Sequence, residues 1–176
     1  ALPYASIYED KDAIKNAVVN FGGYCSGVVV SADGLLFTNH HCGFEAIRSH
    51  STVEHDYMLN GFYAKDYKDE LPNKNLFVSF MVEQKDITSL LDSLGIYNMM
   101  PSEQDRFLDS LENVMSKEVS ATDSTLRLEI KPFYEGNKYF ATTYRDFRDV
   151  RLVFTVPKSM GKYGGETDNW MWPRQT

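Results

Sequence analysis

Only two of the 176 residues are cysteine and six are proline, and no apolar run approaches the roughly 20 residues a membrane-spanning helix needs. Basic residues are also few: 18 Lys and Arg stand against 25 Asp and Glu, giving a net charge of -7. The cations are scattered, so the basic stripe that a phosphate backbone or an anionic membrane demands is absent. Neither nucleic acid nor a membrane span is expected. The first residues, ALPYASIYEDKDAIK, lack a basic-apolar-small leader pattern, so any export signal has been removed or was never there. Repeats, low-complexity tracts and paired C-x-x-C zinc motifs are missing too.

What is present is an ordinary globular composition, 43% hydrophobic and unusually aromatic at 14%. Such a chain can bury a sizeable core, and residues 1–176 are read as one domain or part of a larger one. Residues 9–20 read as a short helix or an irregular lead-in, broken at Phe21-Gly22-Gly23-Tyr24. Val28-Val29-Val30 and Leu35-Leu36-Phe37 are continuous apolar runs flanking a turn at Ala32-Asp33-Gly34, the pattern of hairpin strands covered on both faces. Beyond Cys42, a short helix after Gly43 and a long polar excursion precede a strand at 76–84. The period then changes to helical over about 86–119, where two amphipathic helices are expected. From 124 it returns to two, with Leu126, Leu128 and Ile130 alternating against Arg127, Glu129 and Lys131. A turn near Glu135-Gly136 leads into YFATTY, and Val150, Leu152 and Phe154 make a last strand. Strands with helical excursions and no βαβ alternation give a mainly β fold, a barrel with inserted α-helices.

The chemistry concentrates in Leu36–Gly43, LFTNHHCG. A hairpin turning at Ala32-Asp33-Gly34 brings Cys25 and Cys42 to neighbouring positions on paired strands. A disulfide is the preferred reading and a reduced buried pair the alternative. Closing that loop contributes about 3 kcal/mol in the chain-entropy model and implies an oxidising compartment. His41, directly before Cys42 at the end of a buried strand, is placed as a serine peptidase places its general base. His40 reads as a hydrogen-bonded structural neighbour. His50 and His55 read as loop residues, since no Asp or Glu completes a zinc motif; no metal and no cofactor is expected.

GGYCSGVVVSADGLLFTNHHCGFEAIRSHSTVEHDYMLNGFYA, ELPN and DVRLVFTVPKSMGKYGGETDNWMWPR together resemble the N-terminal region of the bacterial dipeptidyl-peptidase 7 and dipeptidyl-peptidase 11 family. The resemblance implies a chymotrypsin-like fold in which this chain is the first barrel of a double-barrel serine exopeptidase that removes dipeptides from oligopeptides. It implies a catalytic base at His41 and a triad aspartate at Asp168 in the Gly- and Trp-flanked TDNWMWPR segment, with Asp149 of DVRLVF as the rival. It implies no serine here: Ser26 lacks a glycine-flanked elbow, so the nucleophile is expected in a missing C-terminal half, and the isolated chain is expected to be inactive. The family carries an earlier segment as well, and a histidine where Gln175 stands here. A periplasmic or cell-surface location follows from the same resemblance, with homodimerisation of the full-length protein and the choice between acidic and apolar side chains left open. The alternative from another class is a non-catalytic β-barrel that binds peptides or partners.

Overall fold

The structure, a computed structural model, describes residues 2–161. Asp168, Trp170, Trp172 and Gln175 therefore lie outside the described residues. The chain divides into two compact units, Ser79–Asp146 and a unit built from the chain on either side of it, Ala1–Val78 with Phe147–Thr176. Both combine antiparallel strands with helices set between them.

The flanking unit begins with a π-helical turn at Ala5–Glu9, followed by a 3-10 turn at Ile14–Ala17 and then the strand β1, Val18–Phe21. The strand corrects only the end, 18–20, of the stretch 9–20 read as a short helix or irregular lead-in, which the 3-10 turn and the non-repetitive residues before it otherwise fit. Two valines and a phenylalanine run straight into Gly22-Gly23, which take positive φ and turn the chain back into β2, Cys25–Val29. The side-chain carbonyl of Asn20 accepts the Gly23 N–H and fixes that turn. β3, Leu36–Thr38, completes an antiparallel meander in the order β3-β2-β1.

The register sorts the side chains into two faces. Val19 pairs with Gly27 and Gly27 with Thr38 on the inner side, where Val19 and Gly27 are buried. Val18, Val28 and Phe37 form the next row, and these are 51%, 38% and 54% exposed. The two apolar runs are thus covered on one face in this chain, not on both as expected. A continuous apolar run fixes hydrophobicity on both sides of the pleat, but coverage of each side depends on neighbours far away in sequence.

Two helices follow, α1 (His40–His50) and α2 (Tyr57–Asn60). The short strands β4 (Phe62–Tyr63) and β5 (Leu71–Pro72) lie within the stretch read as a surface excursion. β6, Val78–Asp86, opens the second unit. There α3 (Thr88–Ser93) and the long α4 (Pro101–Thr122) occupy the region where helical periodicity was read. Pro101 starts α4 at a position that needs no N–H, and the Glu103 carboxylate accepts the Met100 N–H, which satisfies one donor at that end. The hairpin of β7 (Leu126–Phe133) and β8 (Lys138–Phe147) pairs throughout, and the unit's strand order is β6-β8-β7.

Its core joins Ile87, Leu91, Ile96, Leu128, Ile130, Tyr139 and Ala141, with Phe107, Leu108, Leu111, Met115 and Val119 of α4 packed on it. The Glu112 carboxylate of α4 accepts the outward-pointing Ile130 N–H at 2.7 Å, which covers the free edge of β7. A second device is polar. The fully buried Ser79 donates to Asp146 Oδ1 at 2.6 Å, and Arg127 bridges the other Asp146 oxygen and Glu129.

The chain then returns to the flanking unit as two short strands, not the one expected. β9, Arg151–Leu152, pairs with β5, and β10, Phe154–Thr155, pairs with β4. Gly61 permits the second contact: at φ +76 a Cβ would stand 2.7 Å from the Thr155 carbonyl oxygen. A single turn of helix, α5 (Lys158–Gly161), ends the described residues. No helix among the described residues is long and apolar enough to cross a membrane.

Candidate active site

LFTNHHCG does not continue as strand to its histidines. β3 stops at Thr38, Asn39 adopts extended backbone as the residue before the helix, and its carbonyl accepts the N–H groups of Cys42 and Gly43. His40 and His41 are thus the first two residues of α1, where the expected order was strand, histidines, then a helix after Gly43. The cause is local: an extended asparagine can start a helix without altering the apolar run before it, so the run alone overstates the strand.

The sulfurs of Cys25 and Cys42 lie 1.99 Å apart, with Cα atoms separated by 6.1 Å, a disulfide in this structure. The expected pair is made, but the partners are a strand start and the first turn of a helix, not neighbours on paired strands. A nitrogen of His41 and both sulfurs lie within 4.8 Å of one another. With the sulfurs bonded to each other, the thiolates that zinc would require are not available. The cluster is a histidine held beside a disulfide.

His41 is exposed, while Cys42 is 4% exposed, so the helix turn presents the imidazole outward from an anchored backbone. That suits a base that must reach a group on another part of a site. His40 is half-buried, and its Nδ1 is enclosed without a hydrogen-bond partner among the described residues, which corrects the hydrogen-bonded role expected for it. Tyr24, to which the sequence assigns nothing, donates its hydroxyl to the Cys42 carbonyl at 3.1 Å. Its only sequence signal is adjacency to Cys25.

Three of the motif segments meet behind this helix. His50, the last residue of α1, places Nε2 3.1 Å from Asn73 Oδ1 of ELPN, and the Asn73 N–H donates to the Val150 carbonyl of DVRLVF. Ser51 Oγ donates to the Ile47 carbonyl and accepts the Met58 N–H, so HSTVEHDY folds back under α1. His50 and His55 sit in this scaffold, as read from their sequence. Asp149 is engaged elsewhere: both its oxygens accept from Arg151, at 2.8 and 2.7 Å, and these bonds hold its carboxyl below the usual range. Its side chain remains 69% exposed, open to water and salt.

Comparison with known proteins gives concordant results. The family model described as Peptidase S46 matches residues 1–176. A dipeptidyl-peptidase 7 of Porphyromonas gingivalis is 44% identical over 178 residues, covering 99% of this chain and 25% of that protein. An Asp/Glu-specific dipeptidyl-peptidase of the same organism is 45% identical over 169 residues, covering 93% and 24%. The crystal structure of Porphyromonas endodontalis DPP11 in complex with substrate superposes with a TM-score of 0.86 at 43% identity, over 99% of this chain and 26% of that one. The chain thus spans about a quarter of the length of the relatives it matches.

Proposed function

Because the chain belongs to the peptidase S46 family, we propose that it is the part of a serine-type dipeptidyl-peptidase that supplies the general base, His41. The observation that carries the reading is the position of His41: exposed, on the first turn of α1, with its neighbour bolted to β2 through Cys25. His41 takes the proton from a serine hydroxyl located outside these 176 residues as that oxygen attacks the peptide carbonyl, then returns it to the leaving amine. Water hydrolyses the resulting acyl-enzyme by the same route, and an oligopeptide loses a dipeptide from its N-terminus. No metal or organic cofactor enters these steps.

Asp168 is the carboxylate assigned to orient His41 and to stabilise its imidazolium. The engagement of Asp149 with Arg151 supports that choice, since a carboxylate already neutralised by a guanidinium is a poor partner for a second cation. In this reading residues 1–176 are the N-terminal barrel part of a chymotrypsin-like double barrel, with the excursion at about 86–119 inserted into it. The disulfide favours the periplasm or the cell surface. Relatives named dipeptidyl-peptidase 7 and relatives named Asp/Glu-specific are equally similar to this chain, so the choice of substrate side chain is made elsewhere in the polypeptide.

The test is made in the full-length enzyme with fluorogenic dipeptidyl substrates. His41→Ala is expected to lower kcat by about 10⁶-fold at unchanged Tm, and undiminished turnover rejects the assignment. Asp168→Asn is expected to lower it by about 10⁴-fold by favouring the wrong imidazole tautomer. Full activity there, with loss in Asp149→Asn, would move the role to Asp149; full activity in both would place the carboxylate outside these residues.

A further inference from the structure

Cys42 is held twice. Its sulfur is bonded to Cys25, and its main-chain carbonyl accepts the hydroxyl of Tyr24, the residue before Cys25. A disulfide by itself is a tether with five rotatable bonds, and the turn it anchors can swivel about it. A second attachment at the carbonyl removes that swivel. The residue whose direction is fixed as a result is the one immediately before the doubly held position, His41.

The tyrosine is itself prepared for this task. Gly22 has φ +65, and a Cβ there would stand 2.4 Å from Cε1 of Tyr24, so only glycine leaves room for the ring. Phe21, buried at the end of β1, meets the ring edge-on with centroids 6.1 Å apart and planes at 81°. The Gly22 N–H donates to the Phe77 carbonyl at 2.9 Å, which ties the same turn to the chain leading into β6. The turn and one edge of the ring are therefore held by contacts other than the bond to Cys42, while the ring itself is 64% exposed and its hydroxyl is held by that bond. That bond adds little to stability, because the adjacent disulfide already closes a loop of nearly the same span. What it adds is orientation.

We propose that Tyr24 is a positioning residue for the reaction: its hydroxyl, acting through the main chain of Cys42, fixes the direction in which His41 presents its imidazole. The inference rests on the assignment of His41 as general base. In the full-length enzyme Tyr24→Phe keeps the ring and removes only the donor. It is expected to lower kcat about threefold to tenfold, the worth of one neutral hydrogen bond, while KM and Tm stay at parental values. The rate of inactivation by a peptidyl phosphonate, which needs the same base to activate the serine, is expected to fall by the same factor. An unchanged kcat overturns the proposal. So does a fall in kcat matched by a rise in KM, which would put the hydroxyl against substrate and not behind the base. His41→Ala measured alongside separates the two ideas: if that enzyme is active, both fall, and if it is inactive while Tyr24→Phe is unaltered, only the role of Tyr24 falls.

Discussion

The two units solve the problem of holding a small structure together by different means. Ser79–Asp146 closes an apolar core from consecutive elements, with Leu91 and Ile96 fully buried and α4 laid along the β7–β8 hairpin. The flanking unit, which carries the candidate site, buries residues that range from Ala13, Ala64 and Cys42 to Phe21 and Ile47, none of them in that apolar cluster, and leaves the row Val18, Val28, Phe37 exposed. It compensates with a disulfide, with the His50–Asn73–Val150 chain of hydrogen bonds, and with close backbone approaches such as Gly61 to Thr155. Apolar packing tolerates small movements at modest cost, whereas a covalent bond and directional hydrogen bonds fix angles. A side chain that must be aimed is better served by the second kind of support.

Three measurements break or sharpen this contrast. The largest effect is expected from Leu91→Ala, which leaves a cavity in the closed core of the second unit and costs about 3–5 kcal/mol by urea unfolding. A loss under about 1 kcal/mol would show that this unit is not held by its core. Next, replacing Cys25 and Cys42 together with alanine is expected to cost about 3 kcal/mol, and to lower kcat of the full-length enzyme well beyond what the stability loss explains. If the double variant retains full kcat, the clamp is structural only. The smallest effect concerns acid. Hydrogen bonds from the Thr88 hydroxyl and N–H, with Lys138 alongside, lower the Asp86 carboxyl from 3.8 to about 2. A depressed folded-state value stabilises the fold above pH 3.8, and the contribution is lost as pH falls through about 2. Asp86→Asn is therefore expected to be less stable than the parent at pH 7 and to converge on it by pH 2; a constant gap across that range would rule out the linkage.

Periodicity made most of the second unit legible. The leucine stripe around Leu108 and Leu111, the Pro101 start and the strict alternation from Leu126 to Ile130 are local signals, and the elements stand where those signals lie. The Cys25–Cys42 pair was legible for another reason, since two cysteines astride one hairpin leave a single partner each. The first unit hid more. β1 was masked because Val18–Phe21 follows a stretch whose spacing also fits a helix, although Gly22-Gly23 between apolar runs carried the hairpin signal. The helix start at His40 depends on one asparagine adopting extended backbone, which no period reveals. The bonds from Tyr24 to Cys42 and from His50 to Asn73 join residues 18 and 23 apart, and pairs of that kind become visible only when the chain is folded.

The edge of β7 has a consequence for the molecule's company. In the order β6-β8-β7 the outer N–H groups of Leu128 and Ile130 face α4, and the Glu112 carboxylate occupies that of Ile130. A strand edge closed by a side chain on a docked helix is a reversible seal: wherever α4 peels away, the same amide becomes a free donor for a backbone carbonyl of a foreign strand. The helix that completes this core therefore also covers the strand edge at which another chain would otherwise find a free backbone donor.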